Sequence, residues 1–165
     1  YTSLLNVRLR EEENLTYLCT TKANVYGERG IFKINFAVDV TDLEKALAVI
    51  DEIIANVGSG KCSEELVEAA KIRHSGAVLF AMEDSLSAAK YLGHGLLRSN
   101  EEFQLEKYFK ELDHVDLRAV ASFTRDKLQL AGKKMVLLSG SKEIVKKFPD
   151  VQELKRNEDS TVVLF

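Results

Sequence analysis

The sequence predicts an α+β domain with a mainly antiparallel sheet and helices packed on one face of that sheet. Two patterns favour this fold class. Residues 31–38 alternate apolar with other side chains, as in a half-buried strand, whereas residues 42–57 place apolar side chains at spacings of three and four, as on one face of a helix. A hairpin, a block of helices and a late apolar strand form the expected layers.

The N-terminal part reads as a short helix followed by a hairpin. Residues 3–13 are predicted helical, with the helix ending near Asn14. β-branched and aromatic residues dominate residues 15–25 and 31–38, and the intervening YGERG supplies two glycines for a chain reversal. These features predict an antiparallel pair of strands.

Capping residues predict the helix starts that follow. Thr41 with Glu44 forms a capping box before helix 42–57, and Ser63 is expected to cap the next helix. That helix should break near residues 83–85 before another helical stretch through Leu97.

The starts of the later helices are also predicted from capping residues. Ser99 with Glu102 is predicted to form a second capping box, and Asp116 is the expected cap of the last helix. Residues 133–140, KKMVLLSG, and the final STVVLF are predicted strands.

Length and charge limit the classes of protein. At 165 residues with 45% hydrophobic content, the chain suits a single domain spanning 1–165. The net charge is −3 and the charges are interspersed, which argues against nucleic acid or anionic lipid as a partner. No apolar run approaches the roughly 20 residues of a membrane span. Since the sequence begins at Tyr1, we expect it to be a fragment of a longer protein.

Metal ligands are not found at a recognisable spacing. Cys19 and Cys62 have no nearby Cys or His and are interpreted as reduced thiols. His74, His94 and His114 lie twenty residues apart and occur in no HExxH or HxxEH arrangement. The sequence therefore predicts no zinc site on this chain.

Three segments in order carry a family resemblance that covers most of the chain. They are SLLNVRLREEENLTYLCTT, CSEELVEAAKIRHSGAVLFAMEDSLSAAKYLGHGLL and KKMVLLSG. Together they resemble the M16 family of zinc metallopeptidases, which includes the insulin-degrading enzymes and the mitochondrial processing peptidases. In that family two homologous domains face each other across a chamber. One holds zinc through an HxxEH helix and a later glutamate, and its companion supplies an Arg and a Tyr, seven residues apart, that hold the substrate.

The resemblance implies that this chain is a non-zinc companion domain with the metallohydrolase-like fold, lacking its leading strand. Arg10 and Tyr17 match the substrate-binding pair, whereas Arg8 should be mostly a surface charge. The residues alone leave open that Arg10 is a solvated helix residue and Tyr17 a core aromatic. At NLTY the chain departs from the family, in which a glycine often precedes the tyrosine.

The resemblance also implies partners. It places no cofactor and no catalytic residue on this chain, since zinc is expected on a zinc-bearing M16 domain in the same polypeptide or in a separate subunit. The substrate would be a peptide or an unfolded protein segment. A non-catalytic structural or assembly subunit of the same fold is the alternative, and an unrelated α+β binding module is a third reading.

Overall fold

The computed structural model describes residues 3–26, 29–99 and 103–128, which all fall in one compact unit. Helices make up most of this part, and its sheet has two antiparallel strands, so the α+β class is confirmed. The elements are α1 (Leu4–Asn6), a π-helical turn (Val7–Glu12), β1 (Cys19–Tyr26), β2 (Arg29–Phe36), a 3-10 turn (Val40–Asp42), α2 (Leu43–Gly58), α3 (Glu64–Glu83), α4 (Ser85–Ser99), α5 (Leu105–Asp113), α6 (Leu117–Phe123) and a second π-helical turn (Thr124–Leu128).

Several finer predictions are left as predictions. The strands proposed at 133–140 and at the C-terminal STVVLF lie outside the described residues, as does Glu102. Three predictions about the complete sheet also stay predictions: that it is mainly antiparallel, that its helices lie on one face, and that it lacks a leading strand. The prediction of a single domain over 1–165 stays a prediction as well. In the described ranges no helix combines the length and the apolar character needed to cross a bilayer.

The hairpin pairs β1 with β2 from Cys19 opposite Phe36 to Tyr26 opposite Arg29. Because directly opposed residues share a face and neighbours along a strand alternate, this register separates two sets of side chains. We call the set with Cys19, Ile34 and Phe36 the inner face, since these three side chains join the hydrophobic core. The opposite set is called the outer face.

The core forms where α2, the N-terminal helical segment and the base of the hairpin meet. Leu9 is the only large side chain among the described residues that is fully buried, at 0% exposed. The apolar spacing predicted that α2 has a face directed to the core, and its Leu43 and Ile50 are buried. Three other residues of the predicted face are only partly buried, namely Leu47, Ile54 and Val57, and Ala46, Val49 and Ile53 are buried instead. The buried members of this cluster are Leu9, Leu15, Cys19, Ala46, Val49, Ile50 and Ile53.

Two of the predicted helix caps are confirmed. The Ser63 hydroxyl accepts a hydrogen bond from the backbone N–H of Leu66 at 3.3 Å, and an Asp116 carboxylate oxygen accepts one from Ala119 at 2.7 Å. The break between α3 and α4 also falls as predicted, at Asp84, whose carboxylate accepts from the N–H of Ser87 at 2.7 Å. The side-chain hydrogen bond with Ser87, followed by this backbone bond, lowers the pKa of Asp84.

The other two capping boxes are wrong. The 3-10 turn over Val40–Asp42 precedes α2, so Asp42 rather than Thr41 is the N-cap, and no side chain caps it. Ser99 ends α4 instead of beginning a helix, and α5 starts at Leu105 behind Gln104. Before α2 the 3-10 turn shifts the helix start, which short sequence signatures do not report.

Aromatic contacts connect α3, α4 and α5. His74 of α3 hydrogen-bonds the hydroxyl of Tyr108 of α5, and the ring centroid of Phe103 lies 5.0 Å from Tyr91 of α4 and 5.5 Å from Tyr108. Burial, followed by the interaction with Tyr91, raises the pKa of Tyr108. These contacts join the three helices through aromatic side chains.

Candidate functional site

Tyr17 is the most exposed large apolar side chain in the described part of the chain, at 93% of its full accessible area. It lies just before β1, between the buried Thr16 and the exposed Leu18. The reading of Tyr17 as a core aromatic is therefore wrong. Its phenol is presented to solvent at the entry to the hairpin.

Thr16 fixes the backbone on which Tyr17 stands. Thr16 is 5% exposed. Its hydroxyl donates a hydrogen bond to the carbonyl of Ala37 at 2.5 Å and accepts one from the N–H of Leu18 at 3.1 Å. The N–H of Ala37 in turn donates to the carbonyl of Leu18 at 3.2 Å. An exposed ring is thus attached to a main chain that is held on both sides by hydrogen bonds to the end of β2.

Asn14 turns the chain between the helical segment and the hairpin. Its φ is +52°, in the left-handed region that asparagine tolerates better than most residues other than glycine. This is the segment in which the M16 family often has a glycine, and Asn14 retains the conformation that a glycine there would favour. The N–H of Leu15 donates to the carbonyl of Leu9 at 2.8 Å and closes the turn.

Arg10 lies inside this closed turn, on the π-helical segment. Its side chain is 35% exposed, and its Nε is 3.6 Å from a carboxylate oxygen of Glu11. The hydrogen bond between Leu9 and Leu15 holds the segments that carry Arg10 and Tyr17 next to each other, although the two residues are seven apart in sequence. π-Helical turns are rare and occur often at functional sites.

Arg8 is a surface charge, as expected from the sequence, and it is also paired with three carboxylates. Its guanidinium lies 2.6 Å from Glu12, 3.7 Å from Glu13 and 3.3 Å from Glu52 of α2, and its side chain is 33% exposed. The hydrogen bond to Glu12, with the other two carboxylates, raises the pKa of Arg8. The i, i+4 spacing of Arg8 and Glu12 is a sequence signal that could have indicated the first of these pairs.

Glu13 provides a second link from this segment to α2. Lys45 donates to its carboxylate at 2.9 Å, and this bond lowers the pKa of Glu13. Together with the Arg8 pair to Glu52, it fastens the π-helical turn to the helix that forms the core. The backbone around Arg10 is therefore supported by two ionic contacts from outside its own segment.

The donors at this site suit substrate binding better than covalent chemistry. A phenol O–H and a guanidinium can each donate to a carbonyl oxygen, but neither is a nucleophile here. Both cysteines are free thiols whose pKa values are raised by burial, which disfavours the reactive thiolate. Within the described ranges, no group of three or more His, Cys, Asp and Glu side chains is placed to hold a metal ion.

Sequence comparison confirms the M16 resemblance over the N-terminal part of the chain. Residues 1–73, which include Arg10, Tyr17, the hairpin and α2, match the family model described as the Peptidase M16 inactive domain. This description agrees with a companion domain of the non-zinc type.

Two curated relatives from Arabidopsis thaliana are similar to the chain. They are the probable mitochondrial-processing peptidase subunit alpha-1, 25% identical over 122 residues, and the probable subunit alpha-2, chloroplastic/mitochondrial, 24% identical over 122 residues. The matches cover 74% of this chain and 24% of each relative, so the chain spans about a quarter of their length.

Two solved structures share the fold. A conserved protein from Enterococcus faecalis V583 matches 74% of this chain and 28% of its own, with a TM-score of 0.64 and 18% identity. A chain of complex III2 from Candida albicans with Inz-5 bound matches 76% of this chain and 30% of its own, with a TM-score of 0.67 and 16% identity. At these identities the likeness concerns the fold alone.

Proposed function

We propose that this chain, whose residues 1–73 carry the sequence of an M16 inactive domain, is the substrate-binding companion of an M16 zinc metallopeptidase. Arg10 and Tyr17 hold a peptide or an unfolded protein segment. The zinc-bearing domain lies elsewhere in the same polypeptide or in a separate subunit, and the chain alone has no peptidase activity.

The observation that supports this proposal most directly is the placement of Tyr17. A tyrosine that is 93% exposed contributes little to the core, yet its backbone is fixed by the buried Thr16. Exposed aromatic side chains on a rigid backbone are typical of binding sites, because little conformational entropy is lost when a ligand is bound.

The chemistry follows from the two donor groups. Hydrogen bonds from the Tyr17 hydroxyl and the Arg10 guanidinium to a substrate carbonyl would fix its position and favour the negative charge that develops on its oxygen during hydrolysis. One such donor, aimed at the developing oxyanion, lowers a barrier by about 3–4 kcal/mol. Activation of the attacking water belongs to the zinc-bearing half.

The hairpin offers a way to hold the rest of the substrate. Within the described sheet β1 and β2 pair with each other along one edge of each strand, and we propose that the substrate is received at the other edge of β1, beyond Tyr17. An extended peptide can add to such an edge through backbone hydrogen bonds. Tyr17 would then contact the peptide at the end of this added strand.

The test is Tyr17→Phe, measured in peptide cleavage by the chain combined with its zinc-bearing half. The substitution removes one hydroxyl and keeps the ring, and since Tyr17 is exposed the stability should barely change. A donor that acts in the transition state should lower kcat/KM by about 10²–10³, mostly through kcat. A donor to the bound peptide alone should act mainly on KM.

Arg10→Lys tests the second group, because it keeps the charge but loses the planar guanidinium. It should also reduce turnover. Arg8→Lys is unsuitable as the control, since Arg8 contacts three carboxylates, so the matched control is the exposed Arg118→Lys on α6. If Arg10→Lys and Tyr17→Phe both keep full activity, the substrate-binding role is wrong. The alternative of a structural or assembly subunit would then be favoured.

A further inference from the structure

The outer face of the hairpin gathers positive charge. Lys22 of β1 is directly opposite Lys33 of β2, and Arg29 lies on the same face at the far end of β2. All three are exposed. The sequence gives little sign of this, because the two lysines are 33 − 22 = 11 positions apart and the chain as a whole has a net charge of −3.

Two like charges directly opposite each other weaken a hairpin. Among the residues that the structure describes, no ion pair joins a carboxylate to Lys22, Lys33 or Arg29. Other cations of the same chain do have such partners, among them Lys45 with Glu13 and Lys71 with Glu68. An uncompensated local cost of this kind is typical of a binding surface.

We infer that the outer face binds an acidic segment of the peptide substrate. This inference rests on the proposed function and specifies its substrate class. Exposed carboxylates on an extended peptide are complementary to the three cations, and charge complementarity of this kind favours both encounter and register. The exposed Ile31, on the same face between Lys33 and Arg29, offers an apolar contact that suits a polypeptide better than a phosphate backbone.

The position of the lysines relative to Tyr17 fixes where the acidic residues should be. Lys22 follows Tyr17 by 22 − 17 = 5 residues along β1. At about 3.3 Å per residue, an extended peptide held at Tyr17 and running along β1 reaches Lys22 after about five residues. Acidic side chains should therefore be preferred at about this distance from the bound carbonyl, on one side of it.

The experiment measures binding of three fluorescent twelve-residue peptides to the full 165-residue chain by anisotropy. They are identical except that the positions about five residues from the centre carry Glu, Gln or Lys. We expect the Glu peptide to bind about tenfold more tightly than the Gln peptide at low salt, as two or three exposed ion pairs would provide, and the advantage to shrink at high salt. Equal binding of the three peptides would overturn the inference.

Substitution of the lysines tests whether the outer face of the hairpin is the binding surface. Lys22→Gln with Lys33→Gln should abolish the preference for Glu, whereas the control Lys110→Gln with Lys127→Gln, two exposed lysines on other elements, should keep it. Lys33→Glu should raise Tm, because it places opposite charges across the hairpin, while it weakens binding of the Glu peptide. A gain in stability with a loss of binding separates this role from misfolding. Loss of the preference in the control double variant would overturn the assignment of the surface.

Three further outcomes are decisive. Competition by oligothymidylate as strong as that by the Glu peptide would show a general anion site and overturn the polypeptide class. In cleavage assays with the zinc-bearing half, a loss of activity in Tyr17→Phe with equal turnover of the three peptides would support the proposed function and overturn this inference. A Glu preference in binding, with full activity of Tyr17→Phe and Arg10→Lys, would support the acidic surface while overturning the substrate-binding role of that pair.

Discussion

Three residues at the entry to the hairpin have different structural roles, namely Asn14, Thr16 and Tyr17. Asn14 takes the left-handed conformation that turns the chain, Thr16 anchors the next residues to Ala37, and Tyr17 is left outside. Burial of a small polar residue beside an exposed aromatic one is the reverse of the usual pattern, in which the aromatic is inside. The arrangement is explained by the hydrogen bonds of Thr16, which satisfy its buried hydroxyl.

Asn14 gives a prediction at this scale. Asn14→Gly should be neutral or slightly stabilising, since glycine adopts positive φ without steric cost, whereas Asn14→Ala should lower the free energy of unfolding by about 1 kcal/mol. Urea unfolding of both variants measures the difference. An equal loss of unfolding free energy in Asn14→Gly and Asn14→Ala would mean that the side chain of Asn14, and not its φ, stabilises the turn.

At the scale of elements, α2 supports the candidate site through charged side chains as well as through the core. Lys45 and Glu52 are both exposed on α2, and they reach Glu13 and Arg8 of the N-terminal segment. The π-helical turn that carries Arg10 is thus tied to α2 by ionic contacts outside the hydrophobic core. Contacts of this type are sensitive to salt and to pH.

The pair of Glu13 and Lys45 predicts a pH dependence. Because the pKa of Glu13 lies below its ordinary value of 4.5 in the folded chain, the pair stabilises the fold above that value, and the contribution is lost as the pH falls through the lowered pKa. Lys45→Gln should therefore lower Tm at pH 7, and the difference from the unmodified chain should shrink below pH 4.5. Thermal unfolding against pH measures this.

The control for that experiment is Lys90→Gln, an exposed lysine on α4. It removes the same charge without touching Glu13. A difference in Tm for Lys45→Gln that stays as large as at pH 7 when the pH is brought far below 4.5 would contradict the prediction, since the pair is lost once Glu13 is protonated.

At the scale of the whole molecule, a small core is accompanied by much exposed apolar surface. Several large apolar side chains on α3 and α4 are more than half exposed, as are Val25 and Ile31 on the hairpin. The helical examples are Ile72 at 72%, Phe80 at 76%, Leu86 at 61%, Leu96 at 53% and Leu97 at 84%. Surface of this kind is usually covered by another domain or subunit.

We therefore expect the 165-residue chain by itself to self-associate. Sedimentation over a range of protein concentrations should show species heavier than the monomer. Replacing Phe80 and Leu97 by Ser should reduce the association, because these two side chains are largely exposed, whereas the exposed and already small Ala69→Ser is the control. A monomer at all concentrations would count against this view of the exposed surface.

The sequence by itself determined the local elements and proposed the residue pair. The helical spacing of 42–57, the alternation of 31–38 and the polar side chains of Ser63 and Asp116 act over a few neighbours, so they could be interpreted without knowledge of contacts. The pairing of Arg10 with Tyr17 came from the ordered motif, and its substrate-binding role stays a prediction.

Only the tertiary structure decided which side chains are exposed, paired or opposed. Tyr17 is outside because Thr16 is bonded to Ala37, 21 residues away, and Arg8 is held because α2 brings Glu52 to it across 44 residues. Thr41 fails as a cap because a 3-10 turn precedes α2. The opposition of Lys22 and Lys33 is set by the register of two strands. Each of these outcomes depends on residues distant in sequence, and local patterns carry no information about which distant residues meet.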